Sequence, residues 1–209
     1  MTKIKAILFD LDGVLVDATE WHYQALNKSL GLFGYSIKRE DHIDYFNGLP
    51  TKQKLDKLSE EQSLPKSLHP IIHKMKQKYT TDLIEANCKP SFDKQYMLKK
   101  LKEQGYKLAV CSNAIRSSVE LMLKKSNIHH YFDFILTNQD VENPKPSPEI
   151  YLKAHKLLNL GPKECIIIED QEHGKQAAES SNSHLIQVNN HNQVNLELIQ
   201  KEMENIKDD

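Results

Sequence analysis

The stretch Ala6-Ile7-Leu8-Phe9-Asp10-Leu11-Asp12-Gly13-Val14-Leu15-Val16-Asp17 joins an unbroken apolar run to two acids and a glycine. An apolar run without alternation suits a strand covered on both faces, as strands of parallel sheets are. Four further short runs have this character: residues 108–111 (LAVC), 134–136 (FIL), 165–168 (CIII) and 184–188 (HLIQV). Amphipathic helices separate them. Asp93 is a candidate N-cap for a helix carrying Met97, Leu98 and Leu101 that stops at Gly105. Ser147-Pro148 reads as an N-cap and first helical residue, followed by Ile150, Tyr151, Ala154, Leu157 and Leu158 at helical spacing. Leu196, Ile199, Met203 and Ile206 mark a C-terminal helix. Strands alternating with helices predict an α/β fold built on a doubly wound parallel sheet.

The first strand does not lead straight to the second. Residues 16–88 contain no convincing strand and show helical patterns instead, over 21–30, over 51–58 and at Leu68, Ile71, Ile72, Met75, Tyr79 and Leu83. This block is expected to be a small α-helical cap domain inserted into an α/β catalytic core made of residues 1–15 and 89–209. The lysine-rich runs 52–57 and 74–78 read as solvated helix faces.

Composition narrows the function classes. Apolar residues make up 39% and charged residues 27%, and 28 basic against 29 acidic side chains leave a formal net charge of −1. That balance offers no electrostatic footprint for nucleic acid or an anionic membrane surface, so neither is an expected partner. No apolar run is long enough to span a bilayer, and residues 1–10 lack the apolar core of a secretory signal. Cys88, Cys111 and Cys165 form no CxxC pair and are expected to be reduced, mostly buried thiols. A soluble, cytoplasmic protein is the expectation; oligomeric state is not readable.

The polar residues that follow the strands carry the chemistry. Asp10-Leu11-Asp12-Gly13 follows the first strand, Ser112-Asn113 the second and Glu169-Asp170 the fourth, while Lys145 lies between the third strand and a capped helix. Strands of a parallel sheet end on one edge, where a ligand crevice forms. Acids, a hydroxyl and an ammonium brought to one edge suit a divalent cation and a phosphoryl group. One carboxylate of the Asp10/Asp12 pair can attack phosphorus while the other protonates the leaving oxygen. Asp10 and Asp170 offer hard oxygens to Mg²⁺. Lys145 and Ser112 can hold phosphoryl oxygens.

In these motifs the chain resembles the haloacid dehalogenase superfamily, in its phosphatase and phosphomutase branch with a helical cap. Residues 9–17 match the first motif. Ser112, Lys145 within Lys145-Pro146-Ser147-Pro148-Glu149-Ile150-Tyr151, and Glu169-Asp170 with Gly174 and Ala177-Ala178 match the second, third and fourth in order and spacing. The resemblance covers essentially the whole chain. It implies a nucleophilic Asp10 forming an aspartyl-phosphate, and Asp12 as general acid and base lending its backbone carbonyl to Mg²⁺. It also implies Asp170 as a metal ligand with Glu169 close by, and Ser112, Asn113 and Lys145 around the phosphoryl group. Gln171, Lys175 and Asn182 depart from the usual fourth motif, which bears on substrate preference.

The cap is expected to select a small phosphorylated metabolite, a phosphosugar-like ester, with His22, Thr51 and Lys52 facing the leaving group. Sugar phosphomutases of this branch carry an Arg in the cap loop after a glycine. Here the loop reads Asn47-Gly48-Leu49-Pro50-Thr51-Lys52, with Thr51 at the Arg position, so hydrolysis is favoured over mutase action, with Lys52 or Lys54 as the candidate substitutes for the Arg. A catalytically silent binding protein on the same fold is the further alternative, and the intact acids argue against it. His69 and His73, and likewise His129-His130, have no third ligand nearby in sequence, so no zinc site is expected.

Overall fold

A computed structural model describes residues 3–208, so Met1, Thr2 and Asp209 at the outer ends of the expected core lie outside the described residues. Five parallel strands form one sheet in the order β3-β2-β1-β4-β5: β1 Ala6–Phe9, β2 Lys107–Cys111, β3 Phe134–Leu136, β4 Cys165–Glu169 and β5 His184–Gln187. β1 is flanked on both sides, Phe9 pairing with Val110 of β2 and with Ile168 of β4. The chain winds outward from β1 to β3, then crosses back to place β4 beside β1. The ends of β1 and β4 therefore bound the point where winding direction reverses, where α/β sheets bind ligands.

Period-two alternation divides the strand residues between two apolar layers. Ile7, Phe9, Leu108, Val110, Ile166 and Ile168 share one cluster with Met97, Leu98 and Leu101 of α5 (Phe92–Glu103), Val119, Met122 and Leu123 of α6 (Arg116–Lys125), and Ile199 and Met203 of α9 (Leu196–Asp208). Ala6, Leu8, Ala109, Cys111, Cys165 and Ile167 share the other with Ile150, Tyr151 and Ala154 of α7 (Glu149–Leu158) and Ala177 and Ala178 of α8 (Glu172–Ser180). Burial of a Leu-, Ile- or Phe-sized side chain stabilises by roughly 1.5–3 kcal/mol, so both faces contribute. All three cysteines are free and buried. Asp93 does not cap α5: the helix starts at Phe92 after Ser91, and Asp93 lies in its first turn, where a negative charge still favours the helix dipole. α7 begins at Glu149, one residue later than the Ser147-Pro148 signal suggests.

Between β1 and α5 the chain is helical: α1 (Thr19–Gly31), a short α2 (Arg39–Asp41) running into a π-helical turn at His42–Phe46, α3 (Thr51–Gln62) and α4 (His69–Asn87). Leu26, Leu30, Ile37, Phe46, Leu55, Leu58, Leu64 and Ile72 form an apolar cluster of their own. Sequence periodicity missed the π turn, because the bond from Asn47 N–H to His42 C=O inserts an extra residue into the repeat. The turn buries His42 at 1% exposure with neither ring nitrogen hydrogen-bonded. Burial, helped by Lys54, His22 and Lys76, depresses its pKa to about 3. The unfolded chain therefore takes up a proton below about pH 6.5 that the folded chain refuses until about pH 3. Stability contributed by neutral His42 is complete above pH 6.5 and falls progressively below it. Chemical denaturation across pH 4–7 should show a steeper acid loss for this protein than for His42→Phe. Equal slopes would contradict the burial of a neutral ring.

Candidate active site

The turn after β1 aims two acids the same way. Leu11 C=O accepts from Leu15 and Val16 N–H while Gly13 N–H donates to Val16 C=O, coiling residues 11–16 back on themselves. Gly13 has φ +86°, and a Cβ there would stand 2.1 Å from Asp170 Oδ2, so only glycine allows the first and fourth loops to meet. Gly174 does the same for Glu169, whose carboxylate lies 2.1 Å from where its Cβ would be.

Lys145 is the hub. Its ammonium, 3% exposed, donates to Asp10 Oδ1 at 2.7 Å, Glu169 Oε1 at 2.5 Å and Cys111 C=O at 2.7 Å, linking the ends of β1, β2 and β4. Tyr151 of α7 donates its hydroxyl to the same Glu169 oxygen. Burial alone lowers an ammonium pKa, but Asp10 and Glu169 outweigh it and the Lys145 pKa rises. Burial also pushes Glu169 up to about 8 against the pull of Lys145. Asp170 is pushed to about 7 by burial and by the charge of Asp10. Asp10 rises too, with burial and Asp12 prevailing over Lys145. One ammonium thus fails to compensate three clustered carboxylates. Asp10, Glu169 and Asp170 each present an oxygen within 4.8 Å of the others, and Asp170 Oδ1 is buried without a partner. A hard-oxygen set with an orphaned acceptor fits Mg²⁺.

Asp12 faces the helical block. His22 Nε2 of α1 lies 3.3 Å from Asp12 Oδ1, and His22 Nδ1 lies 3.2 Å from the Lys76 ammonium of α4. An ammonium can only donate, so Nδ1 is the acceptor and Nε2–H points to Asp12. Burial raises the Asp12 pKa, but His22 outweighs it and the net shift is downward. The carboxylate of Asp12 is outside the three-acid cluster.

Ser112, 1% exposed, accepts from Ala114 N–H and lines the cavity with Asp10 and Lys145. The side chain of Asn113 is structurally engaged. It accepts from Lys145 N–H at 3.0 Å and donates to Lys145 C=O and Gly48 C=O at 3.2 Å each, tying the β2 loop to the 47–51 loop. His173 at the start of α8 donates Nε2–H to Asn47 C=O at 2.7 Å, a second tie to that loop. Thr51 opens α3 on the cavity wall. Lys52 sits at the rim with its ammonium paired to Asp56 at 3.1 Å and its side chain 84% exposed.

Sequence patterning misread two of its neighbours. Lys54 and Lys76, within the runs expected to be solvated, are buried on the cavity wall because α3 and α4 turn these positions toward the sheet edge. Tyr151 was legible as an apolar core position but not as the hydroxyl donor to Glu169. The whole cleft encloses about 130 Å³.

A crevice at the switch point of a doubly wound sheet, lined by clustered acids around one ammonium, is the setting of a hydrolase that works on phosphorylated substrates. Residues 7–188 match the haloacid dehalogenase-like hydrolase family, and the chain belongs to it. It is 30% identical over 175 residues to the pyrophosphatase PpaX of Bacillus mycoides, covering 82% of this chain and 77% of that protein. It is 28% identical over 181 residues to a phosphorylated carbohydrates phosphatase of Thermotoga maritima, covering 85% and 82%. Among solved structures, β-phosphoglucomutase from Clostridium difficile superposes with TM-score 0.85 at 26% identity over 99% of this chain and 100% of that one. CbbY from Rhodobacter sphaeroides, solved as a D10N mutant with xylulose 1,5-bisphosphate, gives 0.80 at 25% identity over 88% and 85%. The protein is a phosphatase-type hydrolase. No helix among the described residues is long and apolar enough to cross a membrane.

Proposed function

We propose that the protein is a Mg²⁺-dependent cytoplasmic phosphatase of small phosphomonoesters that works through phosphorylated Asp10, with residues 16–88 acting as the cap. The observation that carries this reading is Lys145 placed between Asp10 and Glu169, at 2.7 and 2.5 Å, beside the unpartnered Asp170 oxygen. Asp10, the Asp12 carbonyl and Asp170 would hold Mg²⁺, with Glu169 behind them. When bound, the cation supplies charge for the phosphoryl oxygens and lowers the repulsion between anionic nucleophile and anionic ester.

In the first half-reaction an Asp10 carboxylate oxygen forms a bond to phosphorus as the bond from phosphorus to the leaving oxygen breaks. Asp12, protonated once the phosphoryl dianion stands beside it, gives that oxygen its proton. In the second, Asp12 takes a proton from water, the water oxygen bonds to phosphorus, and the Asp10–phosphorus bond breaks to release phosphate and free carboxylate. Lys145 and Ser112 orient the phosphoryl oxygens throughout, and the contact from His22 holds Asp12 toward the cleft. The cap excludes water and bulky substrates. The phosphorylated carbohydrate and xylulose bisphosphate in the names of similar proteins support a small metabolite as substrate.

A sugar phosphomutase is the second reading, favoured by the superposition on β-phosphoglucomutase. Release of inorganic phosphate rather than an isomeric ester decides between them. A panel of phosphorylated metabolites assayed with Mg²⁺, after EDTA, and after Mg²⁺ is restored tests the proposal. Activity should vanish with chelator and return in full; undiminished turnover after EDTA and dialysis contradicts it.

A further inference from the structure

The two oxygens of Asp170 are in opposite states. Oδ1 is buried without a hydrogen-bond partner. Oδ2 accepts from the side-chain amide of Gln171, Nε2–H, at 2.6 Å. An ionised carboxylate only accepts, so the NH₂ end of that amide is the one that faces it. Oδ2 also lies against the backbone of Gly13, where a Cβ would stand 2.1 Å away. One oxygen is thus committed to the protein while the other has no partner, in a residue that belongs to the three-acid set with Asp10 and Glu169.

Gln171 is one of the positions where the chain departs from the usual fourth motif. It occupies the N-cap position of α8, yet its side chain makes no capping bond. Ser, Thr, Asp and Asn cap helices with shorter side chains, and glutamine does not share that preference. The amide is spent on Asp170 instead, while the stem packs beside Gly48, where a Cβ would lie 3.3 Å from Gln171 Cγ. That commitment bears on which cation the carboxylate suits. Mg²⁺ takes oxygens in near-ideal octahedral geometry at about 2.0–2.1 Å. Ca²⁺ takes roughly six to eight oxygens at about 2.3–2.6 Å and accepts both oxygens of one carboxylate. A carboxylate with one oxygen already bonded offers only the other.

We propose that Gln171 is a positioning residue that makes Asp170 a one-oxygen ligand and so sets the preference of the site for Mg²⁺ over Ca²⁺. Its amide holds Oδ2 and leaves Oδ1 to the cation, as partners of ligating carboxylates do. Without the amide the carboxylate is free to present both oxygens, which Ca²⁺ uses and Mg²⁺ does not. This rests on Asp170 being a cation ligand, which the same experiment tests separately.

The test is competition with Mn²⁺, whose free ion is read by electron paramagnetic resonance. Mg²⁺ and Ca²⁺ each displace bound Mn²⁺ from wild type, Gln171→Met, Gln171→Ala and Asp170→Asn, with no substrate and no turnover. Methionine keeps the length of the stem and loses the donor, while alanine loses both, so a change shared by the two belongs to the amide. In both glutamine variants the ratio of the Ca²⁺ to the Mg²⁺ dissociation constant should fall at least about fivefold, with Mg²⁺ itself bound about tenfold more weakly, as when a ligand loses its hydrogen-bond partner. Melting without metal should stay near that of wild type, because no capping bond is lost. A smaller fall in the ratio, or loss of the fold in both variants, would overturn the role of Gln171 and leave the cation site standing. A wild type that holds no Mn²⁺, or an Asp170→Asn protein that binds Mg²⁺ as tightly as wild type, would overturn Asp170 as a ligand and the role of Gln171 with it.

Discussion

Asp10→Asn is expected to fold normally and to lose turnover by on the order of 10⁴-fold, as an enzyme does when its nucleophile is removed. The amide matches the carboxylate in size, and Lys145 keeps Glu169 Oε1 at 2.5 Å and Cys111 C=O at 2.7 Å as acceptors, so the buried ammonium is not stranded. The substitution also takes one negative charge from the cluster that raises the pKa of Glu169 and Asp170, which offsets the lost contact to Lys145. Steady-state assays beside thermal melts check this. A folded Asp10→Asn protein with near wild-type kcat contradicts the nucleophile assignment, and unfolding without Mg²⁺ contradicts the electrostatic account.

Lys145→Met is expected to fail in both respects. It leaves Asp10 and Glu169 facing each other, at 7% and 1% exposure, with no cation between them. Removing one partner of a buried ion pair costs about 3–5 kcal/mol, which for a chain of this size lowers Tm by about 10 °C. Loss of the positive charge on the phosphoryl group should also lower kcat/KM by at least about 10²-fold. Lys145→Arg should not restore activity. The longer planar group has to fit a pocket closed by Cys111 C=O and by the Tyr151 ring, 5.1 Å from the Lys145 ammonium. Adding Glu169→Gln to Lys145→Met should recover much of the Tm and none of the activity. Recovery of both would show that Lys145 serves the fold alone.

The parts of this arrangement that sequence displays are those set by local chemistry. Continuous apolar runs located all five strands within one or two residues, since a strand covered on both faces has no polar positions to blur its limits. The acids and Ser112 stood out because polar residues directly after buried strands must lie at one sheet edge, and Lys145 because it lies in the loop between the third strand and a capped helix. The boundaries of α5 and α7 slipped by one or two residues, since Asp93 and Ser147 signal a helix start without fixing the turn they occupy.

What stayed hidden depends on how helices pack against other elements. The burial of Lys54 and Lys76 is of this kind: both sit among other lysines, and periodicity cannot separate a lysine facing solvent from one facing a second wall of protein. Lys52 was singled out two positions from Lys54, and on α3 those positions point in different directions, one to Asp56 and solvent and the other to the cavity. His22 was legible as a polar group near the cleft. Its link from Asp12 to Lys76 was not, because Lys76 comes from a helix over fifty residues later. His173 and Asn113 bind the 47–51 loop by its backbone carbonyls, which leave no trace in side-chain patterns.

The account turns on covalent phosphorylation of Asp10, and acid-quenched mass spectrometry reads it directly. The protein is mixed with acetyl phosphate and Mg²⁺, quenched in acid within milliseconds to seconds, digested with pepsin at low pH and fragmented. The peptide that contains Asp10 should gain one phosphoryl group, placed by fragmentation on Asp10, lost on brief treatment with base and absent from Asp10→Asn. A wild-type protein that releases phosphate while this peptide remains unmodified at every quench time, or that carries the phosphoryl group on another residue, would contradict the account.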